Sequence, residues 1–160
     1  MTRPLAVYAA HPMTAYGTDH EARALRRIAE AFDGWDVLNP AVMFDGDASW
    51  HDTWPQVLSG IDACAIFADE TGCIGVGCLK EIADAIVAYV PVVALGPRGG
   101  VRLLGGVAVE GGPIVDRVRI GRLLYGPAVP VSRVADLAHK ARRLRTLIAG
   151  RSVPIGEKGP

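Results

Sequence analysis

Cysteine is scarce in this chain, and the few present make no recognisable framework. There are three, Cys64, Cys73 and Cys78. An odd count with no leader-like segment predicts free thiols in a reducing cytoplasm. Cys73 and Cys78 are spaced C-x4-C with no histidine nearby, which argues against zinc, so no metal site is expected. No apolar run approaches the length of a membrane span, so a membrane partner is not expected. An excess of charge of either sign is missing too. Lys plus Arg and Asp plus Glu stand at 17 each, so the electrostatic footprint of a nucleic-acid binder is absent. The chain also lacks the Lys of a P-loop and the spacing of G-x-G-x-x-G, which removes ATPases and dinucleotide dehydrogenases from the reading.

What is present is globular. Half the residues are hydrophobic and 21% are charged, which excludes a disordered chain. The length suits one domain with a real core, expected over residues 1–150, and the Pro- and Gly-containing stretch 151–160 reads as a mobile tail. Glycines and prolines concentrate in the second half, which is therefore expected to be rich in loops or short strands.

Leu5 to Ala10 is an apolar run stopped by His11-Pro12 and predicts a first strand. Thr18 or Asp19 caps a helix expected over Asp19 to Phe32, with Ala24, Leu25, Ile28, Ala29 and Phe32 at helical spacing. Trp35 to Leu38 is a second strand ended by Asn39-Pro40, completing a βαβ unit with parallel strands. Residues 41–51 read as a loop anchored by Met43, Phe44 and Trp50. A helix from Thr53 to Ile61 follows, with Pro55 in its first turn.

Ala63 to Ala68 is a third strand. Residues 69–78 form a glycine-rich loop. A helix over Leu79 to Tyr89 carries Glu81 near its start, and Val90 to Leu95 is the fourth strand. Ligand sites in open α/β sheets lie at the carboxyl ends of strands, which puts Glu81 near the site. Further on, Val107–Val109, Ile114–Ile120 and Leu123–Tyr125 read as short strands, and the alternation over 115–120 predicts an antiparallel one. Ser132 caps a last helix, Arg133 to Ala149. Its Leu137, Ala141, Leu144 and Ile148 share one face. His139, Lys140, Arg142, Arg143 and Arg145 lie mostly on the other, as a solvated face rather than a nucleic-acid surface.

Four stretches agree in order and spacing with a known pattern: Val7-Tyr8-Ala9-Ala10-His11-Pro12-Met13, then Asn39-Pro40, then residues 61–67, then Gly77-Cys78-Leu79-Lys80-Glu81-Ile82-Ala83-Asp84-Ala85. Over roughly its first 95 residues the chain resembles the nucleoside 2-deoxyribosyltransferase superfamily. Its members exchange bases between nucleosides or hydrolyse the base from a nucleoside 5'-monophosphate. The resemblance implies a flavodoxin-like three-layer α/β/α fold with a mostly parallel sheet, a loop- and β-rich second half and a C-terminal helix. It also implies a homodimer or larger homo-oligomer, a nucleotide or nucleoside substrate and no cofactor. The chain departs from the pattern at His11, where the family has glycine. Cys64, Gly75 and either Gln56 or Val57 stand where it has acidic residues, and Cys78 stands for threonine. These departures favour hydrolysis over transfer.

Cleavage at C1' needs a group facing an oxocarbenium-like sugar, and a carboxylate can attack it or stabilise its charge. Glu81 matches the family nucleophile, and Tyr8 the residue that orients it. A helix-surface glutamate and a half-buried tyrosine are the plainer alternatives. His11, at the end of the first strand, is either a general acid toward the leaving base, a phosphate donor or a structural histidine. Met13, Thr14, Gly17 and Thr18 form a loop at a helix N-terminus that suits an anion such as a 5'-phosphate, or only a cap and turn. Asn39 would touch base or sugar, or cap a turn. Asp69 would be a second carboxylate or a solvated loop charge, as would Glu70. Gly75 and Gly77 would let the substrate approach the backbone. Trp50 would stack on a base or anchor its loop.

Overall fold

The computed structural model describes residues 3–44, 46–96, 98–104, 117–120, 123 and 125–151. In chain order its elements are β1 (Ala6–Ala10), a 3-10 turn (Met13–Ala15), α1 (Asp19–Ala31), β2 (Asp36–Leu38), α2 (Pro40–Met43), α3 (Gly46–Gly60) and β3 (Ala63–Ile66). Then come β4 (Cys73–Gly75), α4 (Val76–Val87), β5 (Val92–Leu95), β6 (Val101–Leu104), β7 (Arg117–Arg119), β8 (Tyr125–Ala128) and α5 (Val131–Arg151). The six-stranded main sheet has the order β2-β1-β3-β5-β6-β8, and β4 pairs with β7 apart from it. Strands β2, β1, β3 and β5 are parallel, and β6 and β8 extend the sheet antiparallel. This is a flavodoxin-like three-layer α/β arrangement with a mostly parallel sheet and a C-terminal helix.

The layers follow from the two-residue period of the strands. Tyr8, Ala10, Cys64, Ile66, Val92 and Ala94 face one side, where Trp54 of α3 and Ile82 and Ala85 of α4 cover them. Val7, Ala9, Ala63, Ala65 and Val93 face the other, under Ala24 and Ile28 of α1, Phe32 beyond its end and Val134 of α5. Strands β1 and β3 are buried on both faces, as parallel sheets require. Tyr8 lies opposite Leu38 on one neighbour and Cys64 on the other, which puts its ring at the centre of the α3/α4 side. The chain leaves β1 toward one face and β3 toward the other, so β1 and β3 flank the switch point where such sheets bind ligands.

Several boundaries differ from the sequence reading. Most of the stretch expected as a loop is helical: 41–43 belong to α2 and 46–51 to α3, with Phe44 extended after α2. Asn39 Oδ1 accepts from the Ala41 N–H at 3.0 Å, and Pro40 supplies the first-turn geometry, so α2 starts there. Helix α3 begins at Gly46, so Pro55 lies inside it rather than in the first turn. Helix α4 begins at Val76, so Gly77 belongs to its first turn, and the strand β4 occupies part of the expected loop. Strand β6 had no clear signal in the sequence. Helix α5 begins at Val131, so Ser132 is inside it and is not a cap. Its buried face carries Val134, Ala138 and Ala141, while Leu144 and Ile148 are exposed and Arg142 turns inward. The expected strand at Val107–Val109 and the tail beyond Arg151 lie outside the described residues. Among the described residues no helix is long and apolar enough to cross a membrane.

Candidate active site

Glu81 is the centre of the site. It sits on the inner face of α4, one turn into the helix, with Cys78, Ile82 and Ala85 buried beside it. Only 5% of it is exposed. Tyr8 Oη donates to Glu81 Oε1 at 2.6 Å, and Trp50 Nε1 donates to the same oxygen at 2.7 Å. Both donors reach Oε1, and Oε2 has no hydrogen-bond partner among the described residues. Among the described residues no buried side-chain oxygen lacks a partner, so Oε2 keeps access to solvent. Burial pushes the Glu81 carboxyl up to about 7. The hydrogen bonds from Tyr8 and Trp50 oppose that rise, and the nearby Asp84 charge adds to it. Burial and the Glu81 carboxylate together drive the Tyr8 hydroxyl far above its ordinary range, so Tyr8 is a fixed donor.

A second indole repeats the pattern. Trp54 Nε1 donates to Asp84 Oδ2 at 2.9 Å, and Lys80 Nζ reaches the same oxygen at 2.8 Å. Trp50 and Trp54 are four apart on α3, and Glu81 and Asp84 are three apart on α4. Such spacings stack side chains on one helix face. The two helices are thus joined by two matched indole–carboxylate bonds, and the Trp54 ring also rests against Tyr8 at 5.0 Å between centroids. Trp50, expected as a loop anchor or base-stacking ring, is instead a helix residue bonded to Glu81. The W-x3-W and E-x2-D spacings were the available signal, but they become readable only once 50–54 is known to be helical.

A pocket of about 580 Å³ opens above Glu81, beyond the carboxyl ends of β1 and β2 and over the N-terminus of α4. Pro12, Met13 and Thr14 form one wall, Ala41 and Phe44 another. Trp50 and His51 close a third, and Gly75, Val76, Gly77 and Cys78 form the floor leading to Glu81. No side chain caps α4 at Gly75. The open first turn and its dipole favour negative charge on that floor. Burial and the Glu81 charge push the Cys78 thiol up to about 12, which keeps it protonated and unreactive. Cys64, fully buried below, is raised well above its ordinary value for the same reasons.

The other expected residues divide between pocket and scaffold. His11 borders the pocket, but both ring nitrogens are engaged. Nδ1 lies 2.7 Å from the Ala9 carbonyl and Nε2 lies 2.8 Å from Glu21 Oε1. Its ring stacks on Phe67 with centroids 4.4 Å apart. Glu21 also accepts from the Gly17 N–H at 2.7 Å, where φ is +72° and a glycine is required. His11 and Gly17 therefore shape the 11–17 loop through Glu21. Thr18 caps α1 by accepting from the Glu21 N–H, and Asn39 caps α2; neither borders the pocket.

Asp69 is buried and accepts from Thr14 Oγ1 at 2.7 Å, Thr71 Oγ1 at 2.6 Å and the Thr71 and Cys73 N–H groups. Burial would raise its carboxyl, but these donors outweigh it and hold it well below the ordinary range. Asp69 thus ties the 69–73 loop to Thr14 and does not reach the pocket. His51, by contrast, is exposed on the pocket wall, its ring 4.6 Å from that of Trp50, with no hydrogen bond to a described residue. Among the described residues, no group of three or more His, Cys, Asp or Glu side chains could hold a metal ion.

No family model, curated protein or solved structure matches this chain.

Proposed function

We propose that this protein hydrolyses the N-glycosidic bond of a nucleoside or nucleotide, with Glu81 as nucleophile. The observation that carries the reading is the carboxylate itself. It is buried at the switch point, held through one oxygen by Tyr8 and Trp50, and has its second oxygen open to a largely apolar pocket. Fixing Oε1 leaves Oε2 to approach C1' from one face. The Oε2–C1' bond forms as the C1'–N bond breaks, and the base departs with the bonding electrons. His51 is the pocket-wall group best situated to hand the leaving nitrogen a proton. Water then attacks C1' and gives its proton to the His51 imidazole as the Oε2–C1' bond breaks, which frees the sugar and returns Glu81 as a carboxylate. A phosphate on the sugar would lie toward the first turn of α4, where the helix dipole favours it. Transfer to a second base is the same chemistry with a base in place of water.

A non-catalytic nucleotide-binding module is the second reading. It is favoured by His11 and Asp69 both being committed to scaffold bonds. The test is to incubate the protein with ribo- and deoxyribonucleosides and their monophosphates and follow free base by chromatography. Release abolished by Glu81→Gln supports the enzyme. Tight binding without release sinks it in favour of the module. A new nucleoside formed on adding a second base identifies transfer.

A further inference from the structure

At the opposite end of the sheet lies a second concavity, of about 380 Å³, bordered by Arg3, Ser59, Arg142, Arg145 and Thr146. Beneath it is Asp62, fully buried just before β3. Arg3 Nη1 donates to Asp62 Oδ2 at 2.9 Å, and Arg142 Nη2 donates to the same oxygen at 2.8 Å. Arg142 Nε bonds Oδ1 as well, and the Ala6 N–H completes the shell at 2.8 Å. That carboxylate balances one of three guanidinium groups. Arg145 does not reach it and makes only a long 3.5 Å contact to the Ile61 carbonyl. The Ser59 and Thr146 hydroxyls give their protons to the Gln56 and Arg142 carbonyls. Among the described residues the concavity therefore holds a surplus of positive charge and several unspent guanidinium N–H donors.

Three guanidinium groups around a single carboxylate leave like charge unbalanced, which an anion would offset. Guanidinium forks match phosphate oxygens in shape and charge. We infer that this concavity is a binding site for a phosphate-bearing anion, with Arg145 as its principal ligand and Arg3 and Arg142 as its flanks. Asp62 keeps the two flanking arginines in place and leaves their outer N–H groups free for the ligand. Burial and the charges of Arg142 and Arg3 both act against the Arg145 charge, while Asp62 supports it. An anion bound there relieves that repulsion. The site stands at the amino ends of β1 and β3, the glutamate pocket at their carboxyl ends, so the two are occupied independently.

Isothermal titration of the full chain with inorganic pyrophosphate tests this, at ionic strength held constant with sodium chloride. The expected result is saturable binding to the wild type, at least tenfold weaker in Arg145→Gln and unchanged in Glu81→Gln. Arg145→Gln leaves every bond to Asp62 in place, and a far-ultraviolet circular dichroism spectrum equal to wild type checks that it folds. Arg145→Lys, which keeps the charge but not the fork, is expected to bind with intermediate strength. No saturable heat with the wild type overturns the proposal, as does equal binding by wild type and Arg145→Gln. Binding lost in Glu81→Gln but kept in Arg145→Gln would move the anion to the other pocket and overturn it too.

Discussion

Tyr8 and Glu81 stand 73 residues apart in sequence and share a 2.6 Å hydrogen bond in the buried centre of the molecule. Tyr8 comes from β1, within the parallel part of the sheet, and Glu81 from the helix that covers that side. The bond therefore reads out whether β1 and α4 are in register. It also decides which carboxylate oxygen remains for chemistry.

Removing either donor from Glu81 should act on the same group. Tyr8→Phe and Trp50→Phe are each expected to lower base release about 10²-fold, because a carboxylate held by one donor samples other rotamers. Both hydrogen bonds hold the Glu81 carboxyl down against burial. The wild-type kcat/KM should rise with pH through about 7 as Glu81 ionises, and each variant should move that limb to higher pH. A pH profile that keeps its midpoint while the rate falls would mean that the rings act only by packing.

Glu81 should also lower stability as pH rises. Its folded carboxyl titrates near 7 and its ordinary value is 4.5, so between these the native state binds more protons than the unfolded chain. Stability must then fall with rising pH across that window and level off above it, by up to about 3.5 kcal/mol. Glu81→Gln keeps an acceptor oxygen for Tyr8 and Trp50 and has no charge to bury. Urea midpoints for this variant should be higher than wild type at pH 8 and equal to it near pH 4. The opposite order at pH 8 would contradict a carboxylate whose burial outweighs its two hydrogen bonds.

The two pocket histidines should separate by what their rings touch. His51→Gln is expected to slow release of a poor leaving base about 10²-fold and to leave thermal stability within about 0.5 kcal/mol of wild type. His11→Gln should cost stability instead, about 1–3 kcal/mol, because it breaks the bonds to Ala9 and Glu21 in the core. Chemical denaturation beside steady-state kinetics on both variants checks the pair. A stability loss in His51→Gln would return that residue to the scaffold.

Asp62 should be the most sensitive charge outside the site. Burial pushes its carboxyl up, but the bonds from Arg142, the Ala6 N–H and Arg3 win and hold it below the ordinary value. Its contribution is thus present above the ordinary carboxylate range and lost as pH falls below it. Asp62→Ala leaves Arg142 without its partner and should cost about 3–5 kcal/mol at pH 7. The difference from wild type should shrink at pH 2–3 in urea titrations.

Val76, Ile86, Val87 and Tyr89 leave apolar surface exposed along and just beyond α4. The family resemblance implies a homo-oligomer; a second copy seated on this surface should give, by light scattering, a molar mass of at least twice the 16.9 kDa chain. Val87→Glu should return it to the monomer.

The parts of this protein that depend on neighbouring residues were legible in its sequence. Thr18 capping α1, the apolar run of β1 and the parallel β1–β2 unit all follow from side-chain period, cap chemistry and proline. The inward face of Glu81 was legible only through the motif around it, since an i, i+3 pattern alone also describes an exposed acid. What the tertiary structure decided is which groups meet. The engagement of His11 by Glu21, the diversion of Asp69 to Thr14, the two tryptophan–carboxylate bonds and the capture of Arg142 by Asp62 all join distant parts of the chain. Hydrogen bonds of that kind depend on strand register and helix rotation to within an ångström, and no local pattern of residues encodes them. Sequence periodicity could say that Arg142 and His11 were polar residues beside apolar ones. Only the folded chain decides whether such a group ends in water, in a pocket or against a buried partner, because burial leaves a polar atom no stable alternative to finding one.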